Sequence, residues 1–144
     1  MAIIQTLTTS FKVELAQGLH NFTTGTGNVF KLALYTANAD LGASTTAYTT
    51  SGEVSSSGTN YTAGGIALTN ITPSFQGTTA YWSFDNVTFN NVTLTTNGAL
   101  IYNDTNQDRS VCVLNFGVNI SKAGQGLTIT FPAGDSTNAV MRIS

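Results

Sequence analysis

The 144-residue chain has little charge: 5 Lys and Arg and 7 Asp and Glu give a formal net charge of −2 at pH 7. The charged share of 8% is about a third of that in an average soluble protein. Five scattered cations argue against nucleic-acid binding, because phosphate contacts need clustered Lys and Arg. The sequence also lacks an apolar run of the ~18 residues that cross a bilayer as a helix. We therefore expect neither nucleic acid nor a membrane as a partner.

Cysteine and histidine occur once each, which excludes a disulfide framework and a zinc site built from Cys and His ligands. Cys112 lies between two valines in a strand-like run, so we expect a small buried hydrophobe rather than a reactive thiolate. His20 follows Gly18 at the end of a predicted helix, and an imidazole base needs a nucleophile or carboxylate within hydrogen-bond reach. We therefore expect a structural histidine, no cofactor and no enzymatic activity.

The first ten residues lack a basic segment followed by a long apolar one, so no secretory signal is expected. Seven Asn-x-Ser/Thr triplets nevertheless occur, whereas 14 Asn and 37 Ser and Thr in 144 positions give about 3.6 by chance. Strands rich in Thr and Asn account for the excess. The seven acceptors, which we expect to remain unglycosylated, are Asn21, Asn60, Asn70, Asn86, Asn91, Asn103 and Asn119.

Small uncharged residues dominate the sequence: Thr, Ser, Asn and Gly fill 65 of the 144 positions, and hydrophobic residues make up 41%. A chain with this apolar content can collapse into a folded domain. A helix is predicted over residues 10–18, with Ser10 as N-cap and Gly18 in the left-handed position after the last turn. Residues 1–9 are predicted to be an N-terminal arm or a short strand.

Alternation of apolar and polar residues predicts strands along most of the remaining chain. In residues 29–35 the even positions Phe30, Leu32 and Leu34 are expected to face inward. Turn-forming residues separate the later segments. The other strands are predicted near residues 65–71, 79–89, 91–95, 98–103, 110–116, 126–131 and 138–143, with turns at Asn90-Asn91, Asn97-Gly98, 104–109, 122–126 and 132–137.

Residues 36–64 are predicted to be a long loop held by Tyr48, Val54 and Tyr61, with one helical turn near Thr45–Tyr48. Short strands spaced ~8–12 residues apart indicate an all-β fold. We expect one domain: an antiparallel β-sandwich, jelly-roll-like, with one short N-terminal helix.

Asp104-Thr-Asn106-Gln-Asp108 has the alternating oxygen donors of a calcium-binding loop. Arg109 and Asn115 stand where an EF-hand loop has its Gly and its Glu, and no helix flanks the segment. A hairpin turn in which Asx side chains bond to the backbone explains the pattern more simply. We expect such a turn, with calcium binding as the alternative.

Two other kinds of site rest on scattered side chains. A carbohydrate platform needs an exposed aromatic ring, for which Trp82 or a tyrosine is the candidate. A glycosidase-type acid pair needs two carboxylates brought together by folding, and only Asp104 and Asp108 are near in sequence. We predict no catalytic, cofactor-binding or metal-binding residues.

Short sequence signatures are spread over most of the chain. In the C-terminal half they are Gly98-Ala-Leu-Ile-Tyr-Asn-Asp104, Ser110-Val-Cys-Val-Leu-Asn-Phe-Gly117, Leu127-Thr-Ile-Thr-Phe-Pro-Ala133 and Asn138-Ala-Val-Met-Arg-Ile143. In the N-terminal half they are Ser10-Phe-Lys-Val-Glu-Leu15, His20-Asn-Phe22, Phe30-Lys-Leu-Ala-Leu-Tyr35, Ala43-Ser-Thr-Thr-Ala-Tyr48 and Tyr61-Thr-Ala-Gly-Gly65. They are structural signatures, and none is a catalytic motif. Together they resemble a family of small tailed-phage virion proteins.

The resemblance implies a virion structural protein, most simply a capsid cement or decoration protein that binds and stabilises the assembled head. Such proteins commonly form trimers on icosahedral shells. A homo-oligomer (a trimer), the phage major capsid protein as partner, and a place on the capsid surface after assembly in the host cytoplasm are therefore implied. A tail, neck or fibre-associated component is one alternative, and a carbohydrate-binding β-sandwich for host adhesion is another.

Low charge suits subunit contacts that use hydrogen bonds rather than ion pairs, and a small net charge favours association. The arm from Ala2 to Thr9 is expected to pair as an added strand with a neighbouring copy. The loop over residues 36–64 is the second expected interface, because loops commonly carry recognition.

Overall fold

A computed structural model describes residues 2–144. This part of the chain forms eight β-strands and one short α-helix. In chain order the elements are β1 (Thr6–Leu7), α1 (Thr9–Ala16), β2 (Phe30–Tyr35), β3 (Ile66–Ala67), β4 (Asn70–Gln76), β5 (Thr79–Phe84), β6 (Val87–Asn103), β7 (Arg109–Ile129) and β8 (Met141–Ile143).

The strands form two antiparallel sheets. The larger has the order β1-β7-β6-β2-β3, and the smaller has the order β4-β5-β8. Both contribute to one apolar core, which includes Phe30 of β2, Trp82 of β5 and Met141 of β8. The predicted all-β sandwich with one short helix is therefore confirmed, and its strands divide five and three between the sheets.

Helix α1 spans Thr9–Ala16, so it begins one residue before and ends two residues before the predicted range of 10–18. Its N-cap is Thr8 rather than Ser10, and Thr8 Oγ1 accepts a hydrogen bond from the Phe11 backbone N–H at 3.4 Å. Thr8 is buried and also contacts the Ser110 hydroxyl at 2.9 Å, which holds it at the entry to the helix. Gly18, with φ +74°, takes the predicted left-handed position after the helix. Across residues 2–144, no helix has the length and apolar character needed to cross a membrane.

The N-terminal segment packs against β7 of the same chain. Thr6 and Leu7 pair with Val113 and Cys112 of β7, and Ile3 is buried. Of the two alternatives predicted for residues 1–9, an arm and a short strand, the structure has a strand of two residues, Thr6–Leu7. In this structure the added strand completes the chain's own larger sheet rather than that of a neighbour.

Strand β2 is buried on both faces. Phe30, Leu32 and Leu34 lie in the main core, as the alternation predicted. Ala33 and Tyr35, on the opposite face, belong to a second apolar cluster. This second cluster forms because the loop after β2 folds back over the outer face of the sheet, an arrangement that alternation within β2 does not reveal.

Two of the predicted turns are bulges inside long strands. The pairing of β6 with β7 shifts register at Asn90-Asn91 and again near Gly98, and Asn91 has a φ of +52°. Asn and Gly tolerate the positive φ angles that occur in both turns and bulges. A turn and a bulge therefore have the same residue types in the sequence. As a result β6 and β7 are continuous strands of 17 and 21 residues. The turn predicted at residues 122–126 also lies inside β7.

The long loop between β2 and β3 is present as predicted. Val54 and Tyr61 are buried, and the half-buried Tyr48 packs against the second cluster. The helical turn predicted near Thr45–Tyr48 is wrong, because this segment has no helical residue and Ala47 forms an isolated bridge with Arg109. The loop is therefore held by side chains and isolated bridges rather than by regular structure.

Candidate functional site

Four polar side chains form a chain of contacts where α1, the segment after it and the β6–β7 turn converge. His20 Nε2 lies 2.9 Å from Glu14 Oε1, and Arg109 Nη1 donates to Glu14 Oε2 at 2.9 Å. The Asn103 side-chain amide donates to His20 Nδ1 at 3.1 Å. Both ring nitrogens are thus satisfied by a neutral imidazole with its proton on Nε2.

The His20 ring is sealed inside the fold, with a side-chain exposure of 0%. The rings of Phe11 and Phe30 lie 4.9 and 6.2 Å from it, centroid to centroid. Burial lowers the pKa of His20, and the hydrogen bond and charge of Glu14 act in the opposite direction. A general base must reach its substrate, whereas the polar contacts of this ring go to Glu14 and Asn103. These are the contacts of a structural histidine.

Sequence reasoning did not identify the partners of His20. Glu14 lies 6 residues away and Asn103 lies 83 residues away. Neither spacing matches a recognised motif, and Arg109 is placed by the register of the β6–β7 hairpin. The only available signal was that His20 follows a helix whose last turns carry a glutamate.

Asp104–Asp108 forms the tight connection between β6 and β7, as predicted. The Asn106 backbone N–H donates to Asn103 Oδ1 at 3.2 Å, which is the expected Asx capping bond. The Asp104 carboxylate lies 3.6 Å from Lys31 Nζ. Across residues 2–144, the side chains of His, Cys, Asp and Glu do not gather in groups of three that could hold a metal ion.

A second polar cluster surrounds Glu53 in the long loop. The Tyr48 and Tyr61 hydroxyls donate to its two oxygens at 2.6 and 2.8 Å, and the Gly64 N–H donates to Oε2 at 2.8 Å. The Tyr102 hydroxyl donates to the Gly64 carbonyl at 2.6 Å. Burial raises the pKa of Tyr48, Tyr61 and Tyr102 above the ordinary value. All three phenol groups are therefore engaged in holding the loop.

Trp82 does not form a carbohydrate platform. Its side chain belongs to the main core with an exposure of 6%, and its ring lies 5.4 Å from that of Phe22. Among residues 2–144, the most exposed large hydrophobic residue is Phe75 of β4, at 74%. Nothing in the sequence distinguishes Phe75 from a core residue, because alternation predicts which residues share a face but not whether that face is covered.

A cavity of about 470 Å³ opens between the β1–β7 pair and the segment that follows β7. Leu7, Cys112, Leu114 and Phe131 are among its apolar lining residues, and no charged residue lines it. Such a cavity suits an uncharged apolar group. Burial raises the pKa of the Cys112 thiol to about 12, so the thiol stays protonated at neutral pH. Cys112 is therefore the buried hydrophobe that the sequence predicted.

The smaller sheet extends past the core and carries an apolar row. Register places Phe75, Ala80 and Ile143 side by side across β4, β5 and β8. Because alternate strand residues share a face, the row lies on the same face as Trp82 and Met141, which are buried in the core. Phe75 is 74% exposed and Ile143 is 53% exposed. The core-facing side of the sheet thus continues into solvent.

A shallow groove of about 460 Å³ lies beside the apolar row, between the end of α1 and the same sheet face. Ile143 borders both features. Arg142 is the only charged residue in the three strands, and it pairs with Tyr81 on the opposite face. The groove is lined by Leu15, Gly18, His20, Asn21, Phe22, Pro73, Trp82 and Ile143.

Comparison with protein-family models, with curated proteins and with solved structures finds no match for the chain. The likeness to phage virion proteins therefore depends on the short sequence signatures alone. A function for the chain has to be inferred from those signatures together with its surfaces and contacts.

Proposed function

We propose that the chain is a structural protein of a tailed-phage virion, namely a capsid cement or decoration protein that binds the assembled head and stabilises it. The observation that carries the proposal is the exposed apolar row of Phe75, Ala80 and Ile143 on a sheet with almost no charge. Apolar residues aligned in solvent are typical of surfaces that contact other proteins. The sequence signatures supply the phage context.

The distribution of charge supports a role in close packing. Across residues 54–103, Asp85 is the only charged residue. Contacts between such surfaces depend little on ionic strength, and a net charge of −2 leaves little repulsion between copies. Many copies of such a protein can therefore lie close together on a shell.

A cement protein acts by mass action and needs no reaction centre. A protein that binds the assembled shell but not its free subunits stabilises the shell by RT ln(1 + [L]/Kd) at each site. At a free concentration of 100 Kd this amounts to about 2.7 kcal/mol per site. A trimer on the capsid surface would engage several major capsid subunits at once, and its avidity would exceed the affinity of one copy.

The test uses phage particles whose genome encodes this chain. We expect mass spectrometry to count hundreds of copies per virion, and a cryo-electron microscopy map to place them on the shell. Six or twelve copies would instead favour the tail or neck alternative. Heads made without the gene should rupture at a lower temperature and recover when purified protein is added.

Absence of the protein from purified particles would overturn the proposal. Glycan binding without head binding would favour the carbohydrate-binding alternative. Turnover of a polysaccharide by the purified chain would contradict a purely structural role.

A further inference from the structure

We infer that the apolar row and the groove together form a self-association site, in which Phe75 of one copy inserts into the groove of a second copy. The inference deepens the proposed function and rests on it for its biological setting. Its physical basis is that one face of the smaller sheet carries both a projecting aromatic side chain and an apolar hollow.

Phe75 is the projecting part. It lies in the β4–β5 hairpin, in which residues 71–78 are all exposed, and it is 74% exposed itself. A hairpin with solvent on both sides has little to support it in a monomer. Burial of a phenylalanine ring against protein supplies a large part of the energy of many interfaces.

The groove is the receiving part. Phe22 and Trp82 lie at its base with exposures of 4% and 6%, so an inserted ring would meet aromatic side chains. The chain's own Phe75 does not fill it, since that side chain remains mostly in solvent. A second copy, by contrast, can bring its Phe75 to the groove from outside.

The projecting ring and the groove lie at different places on the same face. The small Ala80 lies between Phe75 and Ile143, and Ile143 borders the groove. Phe75 of one copy can therefore enter the groove of the next copy in a head-to-tail contact, and three such contacts can close into the trimer of the proposed function.

The lack of charged strand residues on this face favours a second copy over a charged partner. The face that carries the row and groove has no charged strand residue, because Arg142 lies on the opposite face with Tyr81. His20 at the edge of the groove is already bonded to Glu14. A charged partner would have to bury its charges without a counter-charge, which is costly. A second copy presents an uncharged surface and incurs no such cost.

The contact is expected through the sheet face rather than through strand pairing. In the part of the chain that the structure describes, β5 is the only strand that pairs with β4, although Thr24 also donates hydrogen bonds to the Asn70 carbonyl and the Thr72 hydroxyl. Pro73 has no N–H to donate, and the β4–β5 register shifts between Ile71 and Ser74. Both features are known to block the addition of a further strand. Phe75 on the face is therefore the contact group.

The first test compares Phe75→Ser with Val118→Ser by sedimentation over a concentration series. Val118 is 64% exposed on β7 and serves as a matched control away from the sheet. We expect Phe75→Ser to raise the dissociation constant of the oligomer at least about 30-fold, as loss of an aromatic hot spot does, and Val118→Ser to change it less than about twofold. Both positions are exposed, so circular dichroism should show an intact fold. A strictly monomeric wild type, or an oligomer that Phe75→Ser leaves intact, overturns the inference.

The second test maps the contact directly. Copies with Ser74→Cys, an exposed position that leaves the Phe75 ring in place, are mixed with differently tagged copies with Leu15→Cys and treated with a short thiol cross-linker. We expect a mixed-tag product, whereas Val118→Cys mixed with Leu15→Cys should yield little. The buried Cys112 should stay unreacted. Equal cross-linking in both mixtures would contradict insertion into the groove.

Head binding separates this inference from the proposed function. If the wild type associates through Phe75 but does not bind phage heads, the inference stands and the cement function fails. If Phe75→Ser is monomeric and still binds heads, the inference stands and the head contact lies elsewhere. If Phe75→Ser remains oligomeric, the inference fails whatever the heads show.

Discussion

The side-chain amide of Asn103 donates to Nδ1 of His20 over 3.1 Å, and this bond decides where the imidazole proton lies. Asn103 Oδ1 accepts the Asn106 backbone N–H at 3.2 Å, so the amide nitrogen is the atom that faces the ring. The proton therefore sits on Nε2 and points to Glu14. Protonation of Nδ1 would set two N–H donors against each other in a buried site.

Acid is therefore expected to destabilise the fold through His20. In the folded chain the pKa of His20 is lowered from its ordinary value of 6.5, mainly because burial disfavours the charged ring. The unfolded chain takes up the proton first, so the stabilising contribution is present above about pH 6.5 and is lost as the pH falls below it. As the pH falls from 6.5 to the pKa of His20 in the folded chain, the free energy of unfolding should decrease by up to about 1.4 kcal/mol per pH unit.

Urea unfolding at about pH 7.5, 6.5 and 5.5 measures this effect. His20 is the only histidine in the chain. His20→Gln should therefore flatten the pH dependence in that window, and an unchanged slope in this variant would refute the role given to His20.

Loss of the Glu14 carboxylate should be more costly than loss of a surface ion pair. Glu14→Ala leaves the Arg109 guanidinium and the His20 Nε2–H without their partner. We expect a loss of about 2 kcal/mol, less than for a fully buried pair, because the Arg109 side chain is 29% exposed. Asp104→Ala is the control, since its pair with Lys31 is about one-third exposed at both ends and is worth less than about 1 kcal/mol. Equal changes in the denaturation midpoints of the two variants would contradict this ranking.

Gly65 is expected to tolerate no side chain. It has a φ of +86°, and an added Cβ would collide with the Leu32 carbonyl oxygen of β2. Gly65→Ala should cost about 3 kcal/mol or more, from backbone strain and from displacement of the strand. Gly58→Ala is the matched control, because Gly58 has a φ of +71° with no heavy atom within 4 Å of a Cβ. Thermal unfolding should show a small change for Gly58→Ala, and a similar change for both would argue against the close approach.

Tyr61 should hold the long loop through its hydroxyl. That hydroxyl accepts the Leu34 backbone N–H at 2.9 Å and donates to Glu53 at 2.8 Å. Tyr61→Phe leaves a buried N–H unpaired, which should cost about 2 kcal/mol. Limited proteolysis should then cut residues 36–64 faster. Tyr81→Phe, whose hydroxyl makes no hydrogen bond to residues 2–144, is the control and should leave the cleavage rate unchanged.

Positive-φ residues show where sequence reasoning reached its limit. Gly18 after the helix and the Asp104–Asp108 turn were predicted correctly, because both signals act within a few residues. The sequence predicts a turn at Asn91, but the structure has a bulge there, since the same backbone angle occurs in both and only the pairing partner distinguishes them. The N-cap was misplaced for a similar reason: Thr8 and Ser10 are equivalent in type, and contact with Ser110 selects Thr8.

The alternation of apolar side chains with Thr, Ser and Asn, together with one capped helix, was enough to determine an all-β fold from the sequence alone, because strand and helix preferences act over short distances. Tertiary structure alone decided that Glu14, His20 and Asn103 meet, since their contact depends on how separate elements pack. It also decided that the face of Phe75 is uncovered, because a strand's alternation defines its two faces but the extent of the core determines which residues of a face are buried.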